Sequence, residues 1–217
     1  MMSKITLYRS PQPTRAARAH WAFLEAGLEF DSKLIDVFQG EQKSPEYLEV
    51  NPFGFVPGAL FDGQPVTESS ALVWIACSQS KTVNLIPAAG TPAWRSTMQW
   101  LIFAPAELDH LLATMTVNRL LRPPPERKSD RAKDAEEAFH SRALLLSKVL
   151  RKQPYLSGDS FTAADISVGY CMVWAKMLNL LQEHHFLGAY LERLQNRSAF
   201  KEVFGPKVEV FPDPYAS

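Results

Sequence analysis

The apolar pattern of this chain changes period once, near residue 90, and that change restricts the fold more than any other feature. Before it, short β-rich runs alternate with helical spacing; after it, every apolar stretch repeats at helical spacing. Lys4-Ile5-Thr6-Leu7-Tyr8 reads as a first strand, closed by Ser10-Pro11-Gln12-Pro13. Residues 14–26 then place Ala17, Trp21 and Leu24 on one helical face, and Gly27 stands where a helix C′ glycine belongs. Residues 29–37 read as a second strand, and Ser44-Pro45 opens a short helix as cap and first-turn residue. Asp62-Gly63, between Gly58-Ala59-Leu60-Phe61 and Pro65-Val66-Thr67, is a hairpin signal. A further helix starts at Glu68-Ser69-Ser70 and runs through Trp74. The order β-α-β-α-β-β-α predicts a mixed sheet with helices packed on it.

Beyond Leu85-Ile86-Pro87 the spacing predicts long helices over 93–122 and 125–150, parted by Pro123-Pro124-Pro125. Shorter helices follow near 162–180, 187–195 and 198–204, before a proline-containing tail, Phe211-Pro212-Asp213-Pro214. Phe161-Thr162-Ala163-Ala164-Asp165-Ile166 carries a capping box, with Asp165 reaching back to the Thr162 amide, so Asp165 is read as structural. The division expected is 1–82, a linker at 83–92, and an all-helical domain at 93–217.

Lys+Arg and Asp+Glu both number 23, so no net field draws nucleic acid or an anionic membrane. Cys77 and Cys171 lie in apolar helical stretches and are expected to be buried, reduced thiols. With no apolar leader and no long apolar run, the expected location is the cytoplasm. Neither a Gly-rich nucleotide loop nor a metal-ligand spacing occurs, and His184-His185 are adjacent rather than on one helical face, so no nucleotide and no metal are expected.

Three segments carry a resemblance that covers nearly the whole chain: Asn51-Pro52-Phe53-Gly54-Phe55-Val56-Pro57, then Thr67-Glu68-Ser69-Ser70-Ala71-Leu72, then Gly158-Asp159-Ser160-Phe161-Thr162-Ala163-Ala164-Asp165-Ile166. In this order they are similar to the cytosolic glutathione transferases. The resemblance implies an α/β thioredoxin-like N-terminal domain, an all-α C-terminal domain, glutathione as co-substrate, and a homodimer serving detoxification. It also implies a cis Pro57 that turns the Val56 backbone toward the cysteinyl unit of glutathione, in the manner of an added β-strand. Glu68 and Ser69, at a helix start, would hold the γ-glutamyl ammonium and carboxylate; read alone, they would serve as ordinary caps.

Family members activate the thiol with a Tyr, Ser or Cys after the first strand; the resemblance puts the Ser/Cys position at Pro13 or Thr14 and the tyrosine position near Tyr8. The candidates, in order, are Thr14, Ser10 and Tyr8; no cysteine occupies the loop, which disfavours thiol exchange. Phe55 stands where relatives carry Lys or Gln for the glycyl carboxylate, so Gln42 and Lys43 are candidates for that contact. Ser70 replaces an arginine common in relatives. Trp100, Phe103, Leu108, Leu111 and Met115 are the expected apolar cleft for a small hydrophobic electrophile. Alternatives are a non-catalytic glutathione-binding or protein-interaction module, and a glutathione-dependent isomerase or dehalogenase.

Overall fold

The computed structural model describes residues 4–11 and 14–210, so Pro13 and the tail at 211–214 lie outside the described residues. A four-stranded sheet has the order β2-β1-β3-β4. Strand β1 (Ile5–Arg9) runs parallel to β2 (Asp31–Leu34), with helix α1 (Ala16–Glu25) as the crossover. Strand β3 (Gly58–Phe61) pairs antiparallel with β1 and with β4 (Gln64–Thr67). The β3–β4 turn uses Asp62 at φ 50° and Gly63 at φ 82°, two successive positive values that a tight two-residue hairpin requires. β2 is shorter than the 29–37 run predicts, because its four residues lie exposed at the sheet edge, where little burial rewards pairing.

Leu7 and Ala59, opposite each other across β1 and β3, are fully buried with the apolar faces of α1 and α3 (Ser69–Ser78). The opposite face carries Tyr8, Val56 and Leu60 against Tyr47 of the short helix α2 (Pro45–Leu48). As the sequence predicts, Ser44 caps α2: its Oγ accepts from the Tyr47 amide at 3.2 Å.

The helical half opens with one long rod. Helix α4 (Pro92–Phe103), a π-type stretch (Ala104–Asp109), α5 (His110–Thr116) and a second π-type stretch (Val117–Leu121) follow without a break. Pro105, which cannot donate to a helical bond and crowds the preceding turn, lies in the first widened stretch, and the extra residue accommodates it. The triple proline gives a 3-10 turn (Pro124–Glu126), so α6 (Ser129–Leu150) starts four residues later than predicted. Helices α7 (Ala163–Met177), α8 (His185–Gln195) and α9 (Ser198–Phe204) follow.

Helix α7 is the centre of the molecule, buried almost all round and touching α1, α3, α4 and α8. Its start is the predicted capping box: Asp165 Oδ2 accepts from the Thr162 amide at 2.9 Å. The same carboxylate also accepts from the Leu156 amide and the Tyr190 hydroxyl, each at 2.9 Å. Gly169 permits the close approach of α1 and α8, since a Cβ there would lie 2.7 Å from Leu194 Cδ1 and 3.1 Å from the Trp21 ring. Arg197 grips Glu25 with two bonds of 2.6 and 2.7 Å, and Glu25 accepts from Trp21 Nε1, fastening α1 to the C-terminal helices. One continuous apolar core therefore joins the sheet to the helices.

Candidate functional site

The segment 51–57 is shaped by its own polar groups. Asn51 Oδ1 accepts from the Phe53 amide at 3.1 Å. Asn51 Nδ2 and the Tyr47 hydroxyl both donate to the Phe55 carbonyl, at 2.7 and 2.6 Å. Burial pushes the Tyr47 phenol up to about 12, so it remains a donor through the neutral range. Gly54 has φ 62°, and a Cβ there would sit 2.6 Å from Lys43 Nζ and 2.8 Å from the Gln42 carbonyl, so glycine is required twice over. The Val56–Pro57 peptide is cis. Among the described residues, neither the Val56 amide nor its carbonyl has a hydrogen-bond partner. Tyr47→Phe is expected to cost about 0.5–1.5 kcal/mol, since Asn51 still serves the carbonyl, and to weaken ligand binding at Val56 less than tenfold; a melt and a titration check this.

Beside this edge lies the N-terminus of α3. Glu68 has φ 69° and ψ 113°, a conformation costing a non-glycine residue about 1–3 kcal/mol, and its side chain does not cap the helix. Its carboxylate stands exposed at the cleft and is not held by the helix as a cap. Ser69 is buried, and its Oγ accepts from Arg18 Nη1 at 3.2 Å.

These groups open onto a cleft of about 880 Å³. Its sheet side is lined by Thr14, Arg15, Gln42, Val56, Pro57, Glu68 and Ser69, with the phenyl rings of Phe38, Phe53 and Phe55 around them. Its helical side is Thr116, Leu120, Leu121, Tyr170 and Trp174. Trp174 Nε1 donates to Thr116 Oγ1 at 2.8 Å, which satisfies the polar tip and leaves a flat apolar face. Arg15 is the one cation among the described lining residues; its guanidinium lies 5.4 Å from the Trp174 ring centroid, and its Nε bonds Asp109 Oδ2 at 2.9 Å.

Several expectations need correction. Leu108 and Met115 are fully buried, and Trp100 and Leu111 nearly so, inside the core formed with α6 and α7. Phe103 packs edge-on against Trp100, 5.1 Å between centroids. None of these five lines the cleft; the apolar stripe of the α4–α5 rod faces its neighbouring helices, and the rod reaches the cleft only at Thr116 and beyond. Tyr8 points to the α2 face, tilted on Tyr47 with Lys33 Nζ 5.3 Å from its ring. Ser10 is buried and borders a separate cavity of about 440 Å³. Of the three hydroxyl candidates, Thr14 alone lines the cleft; its Oγ1 accepts a long bond, 3.4 Å, from the Ala16 amide.

Lys43 is also turned away: its ammonium donates to the Phe53 carbonyl at 2.9 Å and lies over the Phe55 ring. Gln42 does line the cleft; its Nε2 donates to the Val37 carbonyl, and its Oε1 is buried without a partner among the described residues. His184 pairs with His140, 2.8 Å between ring nitrogens, and no cluster of three metal-ligating side chains occurs among the described residues. Nor is any helix among them long and apolar enough to cross a membrane.

The sequence reading missed Arg15, Arg18 and Asp109. The signal lay in the pattern: Arg15 and Arg18 share a helical face with Thr14, and Asp109 interrupts an apolar run.

Residues 3–73 match the family model described as glutathione S-transferase, N-terminal domain. Glutathione S-transferase F10 of Arabidopsis thaliana is 27% identical over 209 residues, covering 92% of this chain and 95% of that protein. Glutathione S-transferase hmp2 of Hypomyces subiculosus is 31% identical over 169 residues, 75% of this chain and 78% of its own. Among solved structures, a theta class glutathione S-transferase of Xanthomonas axonopodis pv. citri, with glutathione bound, superposes with a TM-score of 0.83 at 25% identity, covering 93% and 97% of the two chains.

Proposed function

Since the chain belongs to the glutathione S-transferase family, we propose that it activates the thiol of glutathione for attack on small hydrophobic electrophiles. One observation carries this reading: a single cleft joins a polar sheet-side floor, fit for a charged peptide, to an apolar helical wall. The unpaired Val56 amide and carbonyl are suited to the cysteinyl unit. Ser69 and the free amides of α3 suit the γ-glutamyl carboxylate, and Glu68 its ammonium. Gln42, with its partnerless Oε1, offers an acceptor to the glycyl amide. The relative from Xanthomonas, solved with glutathione bound, supports the same ligand here.

A free thiol titrates near ~8.5, so only a few per cent is thiolate at neutral pH. Lowering that by two units takes about 2.7 kcal/mol of preferential thiolate stabilisation. The Thr14 hydroxyl can donate to the sulfur, assisted by the α1 N-terminus and the Arg15 charge. The thiolate then attacks the electrophilic carbon held against Trp174, Leu120 and Leu121, forming a thioether as the leaving group departs with the bonding pair. We take the working protein to be a cytoplasmic homodimer with domains at 1–82 and 93–217, on the family's account.

The test is conjugation of glutathione to a chromogenic aryl halide. Thr14→Ala is expected to lower kcat/KM about a hundredfold, whereas Ser10→Ala and Tyr8→Phe change it less than threefold. Glutathione retained without turnover of any electrophile would replace the enzyme by a binding module. Turnover limited to isomerisation or dehalogenation would redirect the chemistry while keeping the site.

A further inference from the structure

Arg18 is fully buried behind the cleft, yet it keeps its charge. Its Nη2 meets Asp109 Oδ1 at 2.6 Å and its Nη1 meets Asp109 Oδ2 at 3.2 Å. Burial alone would raise the Asp109 carboxyl; Arg18, with Arg15, instead holds it below its ordinary value, so the pair stays ionised. Cys171 Sγ also faces both partners, and the Tyr170 ring lies 4.7 Å from the guanidinium carbon. Nη1 has two further contacts, the hydroxyls of Ser69 at 3.2 Å and Ser70 at 3.4 Å.

Nη1 shares two hydrogens among Asp109 Oδ2, Ser69 and the longer Ser70 contact, but the direction of the Ser69 contact is fixed. A guanidinium only donates, and a hydroxyl has a single hydrogen. Ser69 Oγ therefore accepts from Arg18, and its own hydrogen is left to donate elsewhere, at a residue that borders the cleft. We propose that Arg18, clamped by Asp109 from the helical half, is a positioning residue for glutathione: it holds Ser69 as a donor toward the γ-glutamyl carboxylate. A carboxylate of the helical half thereby sets the affinity of a ligand bound on the sheet half. This rests on the reading that Ser69 holds glutathione.

The test is a double-mutant cycle read by calorimetric titration with glutathione. Removing Asp109 alone strands a buried charge and endangers the fold, so the pair is replaced together, Arg18→Met with Asp109→Leu, an exchange that buried ion pairs often tolerate. With Ser69 present, that double replacement is expected to weaken glutathione binding about tenfold or more; with Ser69→Ala it changes binding less than twofold. Equal losses in both backgrounds, or wild-type affinity in the folded pair variant, would overturn the clamp. Should the pair variant not fold, Arg18→Lys serves in its place. It keeps a charge on Asp109 but loses the planar fork, and the same dependence on Ser69 is expected. Wild-type protein that takes up no glutathione would overturn the binding reading itself, an outcome distinct from additive variants.

Discussion

Glu68→Gln is expected to lower the affinity for glutathione about 10–150-fold, the loss of one charge-assisted pair worth ~1.5–3 kcal/mol. The melting temperature should scarcely move. Glu68 is exposed, caps nothing, and pays for its backbone conformation rather than gaining from it. Glu68→Gly sharpens the contrast: glycine adopts positive φ freely, so that variant should melt at or above wild type while losing the same affinity. A variant that melts far lower yet binds normally would make Glu68 a structural residue.

Asp165→Ala should have the largest effect on stability. The carboxylate is fully buried and accepts from two backbone amides, the Tyr190 hydroxyl and the Thr162 hydroxyl, so its loss strands several donors at once. With each stranded donor costing ~1–3 kcal/mol, a loss of about 3–5 kcal/mol is expected, which at ~2–4 °C per kcal/mol for a chain of this size lowers Tm by about 10 °C. Burial also lifts this carboxyl from 3.8 to about 6. Between those values the folded protein binds more protons than the unfolded one, so the contribution of Asp165 to stability falls as pH rises through that window. Asp165→Asn should lack this slope, which denaturant titrations of both proteins at pH 4.5 and 7 would resolve.

Local signals in the sequence proved legible where one or two neighbouring residues decide the geometry. Asp62-Gly63 specified the hairpin, Ser44-Pro45 the start of α2, and Thr162 with Asp165 the start of α7. The Val56–Pro57 isomer was reached only through the resemblance to a family, since an isolated proline in a turn gives no reason for a cis bond. What escaped depends on distance or on rotation. Arg18 and Asp109 are separated by 91 positions, and no local pattern pairs them. The apolar stripe from Trp100 to Met115 was visible, but not the side it faces; the π-type stretch at Ala104–Asp109 alters the helical phase within it, and only packing on α6 and α7 decides the outcome. Thr14, Ser10 and Tyr8 are close in sequence yet diverge to a cleft, a separate cavity and the α2 face.

The most direct test of thiol activation is the ultraviolet absorbance of the thiolate of glutathione on the wild-type protein, followed against pH at saturating ligand. A thiolate band present at pH 7, titrating about two units below the ~8.5 of a free thiol and returning toward that value in Thr14→Ala, is the expected result. Glutathione that binds the cleft but titrates as it does in free solution would contradict the claim that this site activates its thiol.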